Sequence, residues 1–193
     1  GVAGRQYATH DGEMAEVAEA IESHYFPRFA GDHLPPSAAA SAVALADRLD
    51  TLVGIFGIGE PPSGSKDPFA LRRASLAVIR ILIDQGKPAP LQALLEQAAS
   101  NHTTELQPDT VATVLQYVLD RLGNWYDDEG IHISVLRAVL ATDISDLFDI
   151  DLRVRALSRF SQTETAEHLA AANKRVANIL AKANSSDDEQ PDS

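Results

Sequence analysis

Apolar residues recur at helical spacing along almost the whole chain. Between 13 and 25, Val17, Ala20, Ile21, His24 and Tyr25 share one face at three- and four-residue intervals, which predicts an amphipathic helix. Pro27 interrupts it. A loop containing Gly31, Asp32, Pro35 and Pro36 leads to a helix expected over 38–55, which Gly54, Gly57 and Gly59 break down. The stretch 69–83 is apolar nearly all round, with Arg72, Arg73 and Arg80 as its polar minority. A helix of that kind belongs at the centre of a core. Gly86, Pro88 and Pro90 mark a connector before a short helix over 91–99.

The cleanest stripe lies over 109–126: Val111, Val114, Leu115, Val118, Leu119 and Leu122 form it, and Trp125 and Tyr126 close it. Further helices are predicted over 131–140 and 144–160, the second with Leu147, Ile150, Val154 and Leu157 inward. Thr163 is a candidate cap for a last helix through Lys182, with Leu169, Ala172, Val176, Ile179 and Leu180 expected to face inward. No stretch alternates with period two long enough to make a sheet. The expected fold class is therefore all-α, with roughly eight helices. A soft boundary falls at 86–90, between an N-terminal helical unit and a C-terminal helical bundle.

Composition narrows the chemistry. The chain has 193 residues, 45% of them apolar, enough for a core without covalent staples. It has no cysteine, which excludes disulfides, thiolate zinc sites and cysteine nucleophiles. No apolar run approaches the length of a membrane span. The net charge of −12 argues against a general nucleic-acid binder but leaves room for a local basic patch. Four acids fall in the last seven residues, and the segment 184–193 has almost nothing apolar to bury, so it is expected to be a disordered acidic tail. The chain starts with Gly1 rather than Met, which suggests a piece of a larger protein.

Three groups of residues could carry function. His10-Asp11, His24 and the pair Asp47/Asp50 are oxygen and nitrogen donors of the kind used in HD-type metal-dependent phosphohydrolases. The set is incomplete, and the bland alternative is that Asp47 caps or pairs locally while His24 is a packed helix residue. The glycines at 54, 57, 59 and 64, followed by Lys66 and a helix, suggest a phosphate-binding loop. The spacing of a nucleotide-binding loop is absent, however. The alternative is a helix–loop–helix connection with Asp67 as N-cap and Pro68 at the first helical position. Backbone phosphate contacts on RNA through Lys66, Arg72 or Arg73 fit either reading. Lys174 and Arg175 are a further basic pair suited to RNA or a partner subunit. No catalytic Ser/His/Asp arrangement can be formed. Trp125 and Tyr126 read as core rather than as a platform for base stacking.

Several strings together are more specific: YA at 7–8, HDGE at 10–13, PRFAGDHLP at 27–35, LADRLDTLVGIFGIG at 45–59 and GSKDPFALRRA at 64–74. With WYDDEG at 125–130 and AANKRVANIL at 171–180, they closely resemble the β subunit of bacterial heterotetrameric glycyl-tRNA synthetases. The resemblance runs from Gly1 to about Lys182. It implies that 1–86 is the C-terminal part of a truncated HD-like helical unit and that 87–183 is a helical linking domain. It further implies a cytoplasmic aminoacyl-tRNA synthetase component that engages glycine tRNA and scaffolds the enzyme without carrying the aminoacylation site. On that basis the partners are glycine tRNA, the α subunit and the rest of the β subunit. This segment would bind no cofactor, ATP and Mg being used by the other subunit. It would hold no metal, His24 and Asp47 being vestigial. An HD-type phosphohydrolase and a purely structural interaction module stand as the alternatives.

Overall fold

The computed structural model describes residues 1–193 except 30, 65, 87, 143 and 188–193, with the backbone alone described over 181–187. The described residues form nine α-helices and no sheet: α1 (Val2–His10), α2 (Ala15–Ser23), α3 (Ala38–Gly57), α4 (Leu71–Gln85), α5 (Leu91–Ser100), α6 (Thr110–Asp128), α7 (Ile133–Leu140), α8 (Leu147–Phe160) and α9 (Glu164–Asp187). The all-α expectation holds.

One apolar core joins α3 to α8. On α6 the inward line is Val114, Val118, Leu122 and Tyr126, a strict four-residue repeat of fully buried side chains. It belongs to one buried cluster with Leu52, Val53 and Phe56 of α3, Leu71, Val78 and Ile79 of α4, and Leu147, Ile150 and Val154 of α8. The core crosses the connector at 86–90 without a break. Asp146 holds that crossing together. It caps α8 by accepting from the Phe148 and Asp149 amides at 3.0 Å, and it also accepts from the Ala89 amide at 2.7 Å.

Three local expectations are corrected. Helix α1 was not anticipated, because it packs on α2 through small residues that leave little hydrophobic signal. Ala8, Ala18 and Ala20 are buried, and a side chain at Gly4 would meet Ile21. Helix α4 begins at Leu71, not at Pro68. Asp67 does cap it, accepting from the Leu71 amide at 2.8 Å and the Arg72 amide at 3.1 Å, but from four residues upstream, across a left-handed Ala70. The third correction concerns α9. Thr163 does accept from the Ala166 amide, as a cap should. But Leu169, Ala172, Val176, Ile179 and Leu180 are all exposed rather than inward. A 3.6-residue apolar stripe shows that a helix has a face to cover; it does not show that the cover lies in the same chain. The helix also runs to Asp187, past Lys182, so 184–187 is helical; the rest of the expected tail lies outside the described residues.

Candidate nucleic-acid interface

The loop between α2 and α3 is held from two sides by arginines. Arg48 on α3 is buried, and its guanidinium donates to the carbonyls of His24 at 2.7 Å, Tyr25 at 2.9 Å, Phe26 at 3.1 Å and Pro27 at 3.4 Å. It also donates to Ala44 of its own helix at 2.9 Å. Burial lowers the Arg48 pKa, and the neighbouring Asp47 charge opposes that shift. From the other side, Arg80 on α4 donates to the carbonyls of Phe29 at 3.2 Å and Asp32 at 2.8 Å. Asp32 organises the loop internally, accepting from the Arg28 Nε at 2.9 Å, the Arg28 amide at 2.8 Å and the His33 amide at 2.9 Å. These bonds, that from the Arg28 side chain first, hold the Asp32 carboxyl well below the usual carboxylate range.

This pinned loop forms one wall of a cleft of about 460 Å³, closed by α4 and the C-terminal half of α6. Arg28 lines it from the loop, Arg72, Arg73 and Arg80 from α4, and Arg121 from α6. Its apolar surface comes from Phe29, Leu76, Ala77 and Trp125, and Asp128 and Glu129 stand at the α6 end. Arg28 is paired with Asp32. Arg72, Arg73, Arg80 and Arg121 have no carboxylate within salt-bridge distance among the described residues. The Arg121 guanidinium lies 4.6 Å from the Tyr117 ring centre, and its buried Nε has no hydrogen-bond partner among the described residues. Four guanidinium groups without a carboxylate partner among the described residues make a local basic patch in a chain of net charge −12, and planar guanidinium suits phosphate oxygens.

The aromatic side of the cleft is oriented by a polar chain running out of the core. Tyr126, fully buried, donates its hydroxyl to Asp151 Oδ1 at 3.1 Å. Asp151 accepts from Arg155 Nε at 2.9 Å, and Arg155 reaches Glu129 at 2.8 Å. Glu129 then accepts from the Trp125 indole N–H at 3.0 Å. Tyr126 and Trp125, read together as core in the sequence, both pack with it, but Tyr126 is fully buried whereas Trp125 is half-buried and also lines the cleft.

The structure brings together only part of the predicted set. Arg72 and Arg73 lie in the cleft. Lys66 does not line it; the loop that carries it is tied back by Arg72, which donates to the Gly64 carbonyl. Lys174 and Arg175 are exposed on α9 and do not line the cleft either. Arg28, Arg80 and Arg121 were missed as site residues, although Arg73 and Arg80, seven apart on one helix, share a face. The Leu71 and Arg72 amides are already bonded to Asp67, which favours the helix–loop–helix reading of this segment over a phosphate-binding loop. Among the described residues no group of three or more His, Asp or Glu is placed to hold a metal. Asp47 is exposed, and the His24 Nδ1 lies 3.0 Å from the Ile21 carbonyl of α2, the helix it caps.

Comparison with known proteins gives the family. The family described as glycyl-tRNA synthetase β subunit matches residues 1–141. This chain belongs to the glycyl-tRNA synthetase β subunit family. It is 54% identical over 184 residues to the glycine–tRNA ligase β subunit of Haemophilus influenzae strain PittEE, an alignment covering 95% of this chain and 27% of that protein. It is 52% identical over 183 residues to the corresponding subunit of Pasteurella multocida, covering 94% and 27%. The chain therefore spans about a quarter of the length of these relatives. Every cleft residue, from Pro27 to Glu129, falls inside the family match; Lys174 and Arg175 fall outside it. No helix among the described residues is long and apolar enough to cross a membrane.

Proposed function

We propose that this chain is a tRNA-engaging, non-catalytic part of a glycine–tRNA ligase β subunit, supporting aminoacylation whose reaction site, with its ATP and Mg, lies on the α subunit. The observation that carries the reading is the cleft: Arg72, Arg73, Arg80 and Arg121, free of carboxylate partners among the described residues, converge on one surface of an otherwise acidic chain. Phosphate contacts of this kind position RNA without reading its sequence. Membership of the glycyl-tRNA synthetase β subunit family supports glycine tRNA as the RNA in this reading.

The test is fluorescence anisotropy of labelled glycine tRNA titrated with the chain at several salt concentrations. Binding should weaken steeply with salt, because each phosphate contact releases counterions. The double variant R72A/R73A should bind more weakly and lower the salt slope by about two. Absence of binding at low salt, or binding that R72A/R73A leaves unchanged, overturns the reading. A scaffold role is the second reading, and α9 favours it: Leu169, Val176, Ile179 and Leu180 form an uncovered apolar stripe. It predicts association with the α subunit or self-association, visible by sedimentation, without tRNA binding.

A further inference from the structure

The cleft is built for more than phosphate. Its arginines surround a surface that is largely carbon: Leu76 and Ala77 of α4, Phe29 of the pinned loop and Trp125 of α6. Trp125 is half-buried, and its one polar atom is committed to Glu129, so the ring presents carbon to the cleft. A volume of about 460 Å³ is within the range of sites for single small ligands, roughly 300–1,000 Å³. The charges are also unevenly placed. Arg72, Arg73 and Arg80 occupy the α4 wall and Arg121 joins them from α6, while Asp128 and the Arg155-paired Glu129 stand beside Trp125 at the end of α6. A phosphate is drawn to the arginines rather than to the carboxylate end. What can lie against that end is the flat, uncharged part of the same ligand.

We propose that this cleft receives one unstacked nucleotide from a single-stranded stretch of RNA, its phosphate among the α4 arginines and its base on the Trp125 ring. This rests on the reading that the chain engages tRNA and narrows it to the unpaired parts of that molecule. A duplex offers only its backbone and grooves, with its bases stacked inside. It can touch the arginine rim but has no base to place on Trp125. Aromatic platforms beside a basic groove are the general means by which proteins hold single strands, and each stacked base adds substantially to affinity. The Tyr126–Asp151–Arg155–Glu129 chain gives the platform its rigidity, because it ties the indole to the core rather than to a mobile surface group.

Trp125 is the only tryptophan, so its fluorescence reports directly on the cleft. The experiment titrates the chain with a short single-stranded oligoadenylate and, separately, with a blunt RNA duplex of equal phosphate number. The single strand should quench Trp125 saturably and bind more tightly than the duplex. Trp125→Leu should weaken single-strand binding roughly tenfold, by loss of one stacked base, and leave duplex binding nearly unchanged. Trp125→Phe keeps a ring and should retain most of the affinity, which separates stacking from a folding defect. Equal binding of single strand and duplex with unchanged Trp125 emission overturns the proposal. If glycine tRNA binding still depends on Arg72 and Arg73 in that case, the tRNA reading survives without it. If neither tRNA nor oligoadenylate binds, both fall.

Discussion

Tyr126 donates its hydroxyl to Asp151 across the interface of α6 and α8, at 3.1 Å and out of contact with water. Burial, with the Asp151 charge beside it, pushes the Tyr126 hydroxyl far above the usual tyrosine range, so it stays a donor at any ordinary pH. Tyr126→Phe keeps the ring and removes only that bond to a charged acceptor. The expected cost is about 1.5–3 kcal/mol in urea unfolding. A change below a few tenths would mean the hydroxyl is not the partner Asp151 relies on.

Arg48 holds four successive carbonyls of the loop that forms one wall of the cleft. Arg48→Met fills similar space but leaves those acceptors without their donor. Destabilisation of about 3 kcal/mol is expected. RNA binding should weaken as well, because Arg28 and Phe29 lose their support. Unchanged chemical denaturation would show that the loop is held by its own bonds alone.

Gly57 lies where α3 presses against Leu106, and a methyl group at that position would collide with the leucine side chain. Gly57→Ala should cost about 1–3 kcal/mol from overpacking. Leu106→Ala makes room, so the double variant should be more stable than the sum of the single effects requires, by roughly 0.5–3 kcal/mol. Simple additivity in that cycle would place the strain elsewhere.

Asp32 carries a depressed carboxyl pKa, held down by Arg28 and by loop amides. Its folded-state value lies below the unfolded one, so its contribution is complete above the ordinary aspartate value of about 3.9. It fades as pH falls from there through the depressed value. Asp32→Asn should therefore lower Tm at neutral pH, and the gap from the wild type should narrow below about pH 4. A gap constant down to strongly acidic pH would contradict the pairing.

Asp47 is exposed and lies in no group of potential ligands among the described residues. Mn²⁺ should leave Tm unchanged, and Asp47→Ala should change stability by no more than about 0.5 kcal/mol. A metal-dependent rise in Tm that Asp47→Ala abolishes would restore the phosphohydrolase reading.

Much of the fold was legible because most of its helices have large apolar residues at regular spacing. The stripe on α6 is the clearest case: Val114, Val118, Leu122 and Tyr126 are the buried line itself. Helix α1 was illegible because Gly4 and Ala8 pack by being small. Of the cleft, Arg72 and Arg73 stood out as polar residues in an apolar helix, whereas Arg28 and Arg121 did not, since single arginines on a loop and on an amphipathic helix look like ordinary surface.

What the sequence determined by itself was local and additive: helix periodicity, the capping role of Asp67, the absence of cysteine chemistry, and the family strings. Tertiary structure alone decided which faces meet. It brought Arg28, Arg80 and Arg121 together from a loop and two helices distant in sequence, turned Trp125 towards the cleft and Tyr126 into the core, and left the α9 stripe uncovered. The reason is that periodicity records how residues project from one helix axis, whereas a site depends on how several axes pack. That packing is set by the summed burial and close contacts of the whole core, not by any one segment.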